Sequence, residues 1–319
     1  MHQEREPAVV VDGLRKTYGE KVAVDEISLS VHEGEIFGIL GPNGAGKSTT
    51  VESIAGLRVG DRGRIRVHGI DPWTDRAAVT EVLGVQLQEA KLQQKITVRE
   101  ALELWSAFYP DPEPWAPLAE RLGLGSHLRQ RFENLSGGQQ QRLSIALALI
   151  GRPRVVVLDE LTTGLDPRAR REVWDLVRDV RDRGVTVLLV THSMEEAQTL
   201  CDRIAIVDAG RIRALDTPAG LIDAASAATI TTFETSVAID LASLRALDGV
   251  TAARSENGTI TVEGAEGVAL AVVEALRTQG VVPQRLRVAA GSLDAAYLDL
   301  TETQTGPGTG TETRQEALR

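Results

Sequence analysis

Eight consecutive residues constrain this chain more than any other feature: Gly41, Pro42, Asn43, Gly44, Ala45, Gly46, Lys47 and Ser48. They stand between an apolar run, Glu35 to Leu40, and a helical pattern that opens near Ser48. A buried strand feeding a Gly-rich loop and then a helix is an entry into an α/β sheet domain. Glycines let the backbone wrap closely enough for its N–H groups to face phosphate oxygens. The following helix adds its N-terminal dipole for the same anion. Lys47 supplies positive charge toward β- and γ-phosphates, and the Ser48 hydroxyl, followed by Thr49, can reach Mg²⁺. A plain Gly-rich turn with a surface lysine shares this composition; the strand before it and the helix after it favour the phosphate cradle.

A second apolar strand, Val155 to Asp159, ends on two carboxylates, Asp159 and Glu160. Open α/β sheets bind ligands beyond the carboxyl ends of their strands. Beside a phosphate cradle, Asp159 is placed to reach Mg²⁺ and Glu160 to polarise an attacking water. Alone, the pair is an ordinary acidic strand end. A third apolar strand, Val185 to Val190, leads into Thr191 and His192.

Alternating β-rich and helical patterns run from residue 8 to about 220, with Val9–Val11 and Ile27–Val31 as an early antiparallel portion. From about 89 to 150 the pattern is helical, a subdomain inserted into the sheet domain. The proline cluster from Tyr109 to Pro117 is expected to connect helices rather than lie within one. After 220 the order is strand (229–234), helix (240–247), strand (250–255), strand (259–263), helix (267–279) and strand (284–289). That βαββαβ order predicts a small ferredoxin-like α+β domain over 221–302. Residues 1–7 and 303–319 read as tails, the latter Thr/Gly-rich with little to bury.

Hydrophobic residues make up 42% and no window approaches a spanning length, so no transmembrane segment is expected. The N-terminus does not resemble a signal peptide. One cysteine, Cys201, excludes a disulfide within the chain and fits a small buried hydrophobe in a reducing cytoplasm. A formal charge of −10, from 35 basic and 45 acidic side chains, argues against nucleic acid as a bulk ligand. Trp73, Trp105 and Trp115 fit packing better than partner contacts.

With Leu135-Ser136-Gly137-Gly138-Gln139 ahead of an apolar helix, the chain resembles the ATP-binding subunits of ABC transporters. As a bare pattern, Ser136 is also a good helix N-cap. The resemblance covers residues 8 to about 218 and implies a P-loop ATPase domain of ABC type, with a mixed sheet core, an antiparallel portion and a helical subdomain. It implies ATP and Mg²⁺ as ligands, and two copies packed head to tail so that Leu135–Gln139 of one close over the ATP held by residues 41–49 of the other. It makes Tyr18 the adenine-stacking aromatic, Glu160 the catalytic base, His192 the switch histidine on the γ-phosphate and Asp166 the residue of the dimer loop. Ser48, Asp159 and Gln88 become the metal-side groups, with Gln88 also on the attacking water and Gln86 as its rival. The usual proline after the catalytic glutamate is Leu161 here, which loosens the backbone beside Glu160. The C-terminal extension, with Asp294 to Asp299, resembles the daunorubicin-resistance type of multidrug exporter; its domain is expected to hold two copies together or to bind a regulatory ligand.

The expected function is therefore ATP hydrolysis powering a separate membrane permease, in the export direction, from the cytoplasmic face of the membrane. Family members meet a permease near the segment from Gln88 to Glu100. The alternative is a soluble ABC ATPase acting on ribosomes or nucleic acid. Relatives of that kind carry paired ATPase domains or a long coiled coil, and neither pattern is present.

Overall fold

A computed structural model describes residues 7–87, 92–224, 229–235, 237, 239–256, 258–265, 267–289 and 292–302. The chain divides into two compact units at Pro218/Ala219.

In the first unit, β1 (Pro7–Tyr18) and β2 (Lys21–His32) form a long hairpin, and β3 (Ile36–Leu40) leads through the glycine loop into α1 (Lys47–Ile54). There follow β4 (Arg62–Val67), α2 (Arg76–Val82) and β5 (Leu83–Gln86). Three helices come next, α3 (Val98–Ser106), α4 (Trp115–Arg121) and α5 (Gly137–Leu149). The chain then returns to the sheet with β6 (Val155–Asp159), α6 (Pro167–Asp182), β7 (Thr186–Thr191), α7 (Met194–Leu200), β8 (Arg203–Asp208) and β9 (Arg211–Asp216).

Two sheets result. An antiparallel one has the order β2-β1-β4, and a six-stranded one has the order β5-β6-β7-β3-β8-β9, parallel except for the β8–β9 pair. Every residue of β3, β6 and β7 is buried, as expected of parallel strands covered on both faces. Val173, Trp174, Val177 and Val180 give α6 a buried stripe at helical spacing, opposite an arginine-rich face. Cys201 is buried against β3, where a side chain at Gly38 would meet its Sγ at 2.7 Å; burial pushes its thiol pKa well up.

One expectation needs correction. Trp115, Ala116 and Pro117 are not a connection but the first turn of α4. First-turn N–H groups have no partner inside the helix, so a proline there costs no hydrogen bond.

The second unit contains β10 (Thr229–Glu234), α9 (Leu241–Arg245), β11 (Val250–Glu256), β12 (Thr259–Gly264), α10 (Val268–Thr278) and β13 (Gln284–Ala289), after the short helix α8 (Pro218–Ala224). Its sheet is antiparallel with the order β11-β12-β10-β13, the interleaved order of a split βαβ pair. Phe233, Ile260, Val262, Val272 and Leu276 share one core. A further helix, α11 (Leu293–Glu302), buries Leu293 and Ala296 and runs to the end of the domain expected over 221–302. Residues 1–6 and 303–319 of the expected tails lie outside the described residues.

Candidate functional site

Strand order assembles the site. β6, β7 and β3 are neighbours, with Asp159 beside Val190 and Leu40 beside Thr191. Three motifs far apart in sequence thus leave the sheet at adjacent carboxyl ends, where such sheets hold ligands.

The loop after β3 is shaped by its glycines. At Gly46, φ is 103° and a side chain would meet the Ala23 carbonyl at 2.4 Å; at Gly41 one would meet the Val207 carbonyl at 2.1 Å. Gly46 is the N-cap of α1 and has no side chain to satisfy the first turn, and no acidic residue occupies that turn. Its N–H groups therefore remain available to an anion. Lys47 is 6% exposed and donates to the carbonyls of Gly41 at 2.8 Å and Pro42 at 3.0 Å. Burial lowers the Lys47 pKa, while the charges of Glu160 and Asp159 raise it.

Asp159 is buried at 4% exposure, and its backbone N–H donates to the Gln86 side-chain oxygen at 3.0 Å. Gln86 is thereby committed to holding the end of β6, a role its sequence position did not reveal. Gln88 lies outside the described residues. Glu160 is 9% exposed and sits at φ 51°, a left-handed conformation uncommon outside glycine. Its N–H donates to the Val190 carbonyl at 2.9 Å, and its Oε1 lies 3.1 Å from His192 Nδ1. Leu161, which follows, is fully buried. Backbone held in a strained region beside an acid–histidine pair is a frequent mark of a reacting centre.

Of these groups, Gly46, Lys47 and Glu160 border one cleft of about 320 Å³, lined also by Tyr18, Lys21, Ala23, Asn43, Gly44, Ser48 and Thr49. Tyr18 is 41% exposed, as a stacking platform must be. Its strand end is anchored by Asp61, whose carboxyl is held at about 2 by the Thr17 hydroxyl, then Lys16 and the Thr17 N–H. Ser48 is exposed on the cleft and Asp159 is buried at the end of β6, so the oxygen donors on offer are a hydroxyl and a carboxylate. Such a hard, incomplete set suits Mg²⁺, which takes one or two protein oxygens together with phosphate. A larger hollow of about 610 Å³ lies before the N-terminal ends of β6 and β7, lined by Arg121, Arg152 and Arg183, each paired with an acid. It is away from this chemistry.

Ser136 caps α5 in a reciprocal box: its Oγ accepts from Gln139 N at 3.3 Å, and the Gln139 side-chain oxygen accepts from Ser136 N at 2.9 Å. The helix tip is exposed at Ser136 and Gly137, while Leu135 anchors it at 6% exposure. None of residues 135–139 lines the 320 Å³ cleft; Ser136, Gly138 and Gln139 line another hollow with His127 and Arg142. Asp166 caps α6, accepting from the N–H groups of Arg168 and Ala169 at 2.9 and 3.0 Å, bonds that lower its pKa. Trp73 is half-buried on the main core with its indole N–H on the Ser53 carbonyl. Trp105 meets Phe108 edge-on and Trp115 lies under Arg99, so none of the three tryptophans belongs to the cleft.

Comparison with known proteins finds similar sequences and similar folds. A family model described as "ABC transporter" matches residues 24–163. The Nod factor export ATP-binding protein I of Paraburkholderia xenovorans is 42% identical over 223 residues, covering 68% of this chain and 73% of that protein. The daunorubicin resistance ATP-binding protein DrrA3 of Streptomyces coeruleorubidus is 44% identical over 210 residues, covering 64% and 66%. Among solved structures, a dimeric post-hydrolysis state of an ATP-binding cassette bound to ADP and Pi superposes with a TM-score of 0.60 at 28% identity, covering 66% of this chain and 98% of that one.

Proposed function

This chain belongs to the ABC transporter family, and we propose that two copies of it pack head to tail around two ATP molecules to drive a membrane permease. It is an ATP-binding subunit that hydrolyses ATP to ADP and phosphate in the service of transport. One observation carries the head-to-tail reading. The exposed tip at Ser136 and Gly137 has an α-helix N-terminus behind it, yet it lies outside the cleft that Asn43, Gly44 and residues 46–49 line. A second anion-binding helix end without a ligand of its own chain suits the partner copy's γ-phosphate.

In this reading the residues divide the work as follows. The N–H groups of residues 43–49 and the Lys47 amine grip the phosphates, and Tyr18 stacks on the adenine. Glu160 accepts the proton of the attacking water, its backbone held by Val190 and its carboxylate oriented by His192. His192, 47% exposed at the rim, is free to turn toward the γ-phosphate. Ser48 and Asp159 would hold Mg²⁺, which would supply positive charge against the phosphates; Gln88, the third group expected there, lies outside the described residues. Asp166 fixes the loop that faces the second copy. Most of the rate enhancement then comes from position and charge, which is where phosphoryl transfer needs it.

The relatives named for Nod factor export and daunorubicin resistance support an export role, with the subunit held at the cytoplasmic face by its permease. No helix among the described residues is long and apolar enough to cross a membrane, which fits a permeation path on another chain. Purification from mild detergent tests this: a polytopic membrane protein is expected to co-elute and to raise ATP turnover. Co-elution of ribosomes or nucleic acid in its place would contradict it.

A further inference from the structure

One buried carboxylate has no part in the chemistry assigned so far. Glu196, on α7 four residues after His192, has no exposed surface. Its Oε1 accepts from the Thr162 hydroxyl at 2.9 Å and from the Trp174 indole N–H at 3.2 Å. Its Oε2 has no hydrogen-bond partner among the described residues. Burying a carboxylate with half its acceptors unused is costly, and an apolar side chain of similar size would fill the space without that cost. Packing therefore does not account for it.

What Glu196 does, and a leucine would not, is tie three segments together. α7 begins directly after His192, where Ser193 Oγ accepts from Glu196 N at 3.3 Å. Thr162 stands two residues after Glu160, at the head of the loop that ends on Asp166. Trp174 lies on α6, the helix that Asp166 caps. One oxygen thus joins the histidine segment to both sides of the dimer loop. The joint matters because Glu160 is held at φ 51° and is followed by Leu161, so no proline ring fixes the backbone there. The hydrogen bond from Thr162 supplies a constraint one residue further on.

We propose that Glu196 is a positioning residue for ATP hydrolysis, holding Thr162 and with it the Glu160 backbone and the 162–166 loop in register with His192. This rests on the assignment of Glu160 as the base. The test is steady-state ATPase activity and melting temperature of the full chain carrying Thr162→Val, Glu196→Gln, Glu196→Leu, the Thr162→Val/Glu196→Leu pair, and Glu160→Gln. Thr162→Val keeps the side-chain volume and removes only the donor. It is expected to lower kcat about tenfold with KM for ATP nearly unchanged, and to lower the melting temperature by several degrees because the buried carboxylate loses a donor. Glu196→Gln, whose amide oxygen still accepts both bonds, is expected to keep most of kcat. Adding Glu196→Leu to Thr162→Val is expected to bring little further loss of kcat, because both remove the same contact. Wild-type kcat in Thr162→Val, or losses that add in full in the pair, would overturn the proposal, and Thr162→Val decides the matter even if Glu196→Leu does not fold. Near-normal turnover in Glu160→Gln would instead remove the base assignment, a separate failure.

Discussion

Replacing Glu160 by glutamine is expected to leave ATP binding intact and to slow hydrolysis roughly 100- to 10,000-fold, the usual worth of a positioned general base. The amide matches the carboxylate in size, so the buried site at the end of β6 keeps its packing, and the backbone bond to Val190 is untouched. What is lost is the ability to accept a proton from water. In the proposed cycle closure of the dimer needs ATP and reopening needs hydrolysis, so the variant is expected to accumulate as an ATP-filled dimer. Single-turnover assays with gel filtration read both effects together: slow phosphate release, and a dimer that persists after free ATP is removed.

The second large effect is expected at Lys47. Its amine is held by two carbonyls of its own loop. The proposed function brings the phosphates to this loop, where these hydrogen bonds would pass from carbonyls to phosphate oxygens. Each hydrogen bond involving a charged group is worth about 1.5–3 kcal/mol. Lys47→Ala should therefore weaken ATP binding by about 10- to 100-fold or more, since each 1.4 kcal/mol is a factor of ten. Equilibrium binding of a fluorescent ATP analogue checks this. Affinity within about twofold of the parent would remove Lys47 from the phosphate site.

Much of the fold was legible because its central strands are continuous apolar runs. Ile36–Leu40, Val155–Asp159 and Thr186–Thr191 announce parallel strands buried on both faces, and polar residues at their ends announce the site. The glycine loop was legible for the same reason that it works: few sequences place glycine where backbone carbonyls crowd in at 2.1 and 2.4 Å. Ser136 and Asp166 proved to be helix caps as well as exposed residues, a double use that composition alone does not separate. Other features depend on tertiary neighbours and were missed. Gln86 serves the N–H of Asp159, seventy-three positions away, and nothing in its local pattern shows this. Glu196 carried a faint signal: at helical spacing it falls on the same face as Ala197 and Leu200, where a carboxylate is out of place. α11 was overlooked although Leu293, Ala296, Tyr297 and Leu300 recur at helical spacing, and Pro117 was misread because a first-turn proline resembles a loop proline until the helix is seen.

The account turns on ATP being enclosed by halves from two molecules, and occlusion of nucleotide measures that directly. In a Glu160→Gln background, one variant carries Lys47→Ala and the other a bulky Ser136→Glu at the helix tip. Each alone should occlude no ATP, since every site in its dimers lacks one half. Mixed together, they should occlude about one ATP per mixed dimer, at the site that pairs an intact lysine loop with an intact serine tip. No occluded nucleotide at any mixing ratio, with both variants folded, would contradict the shared site.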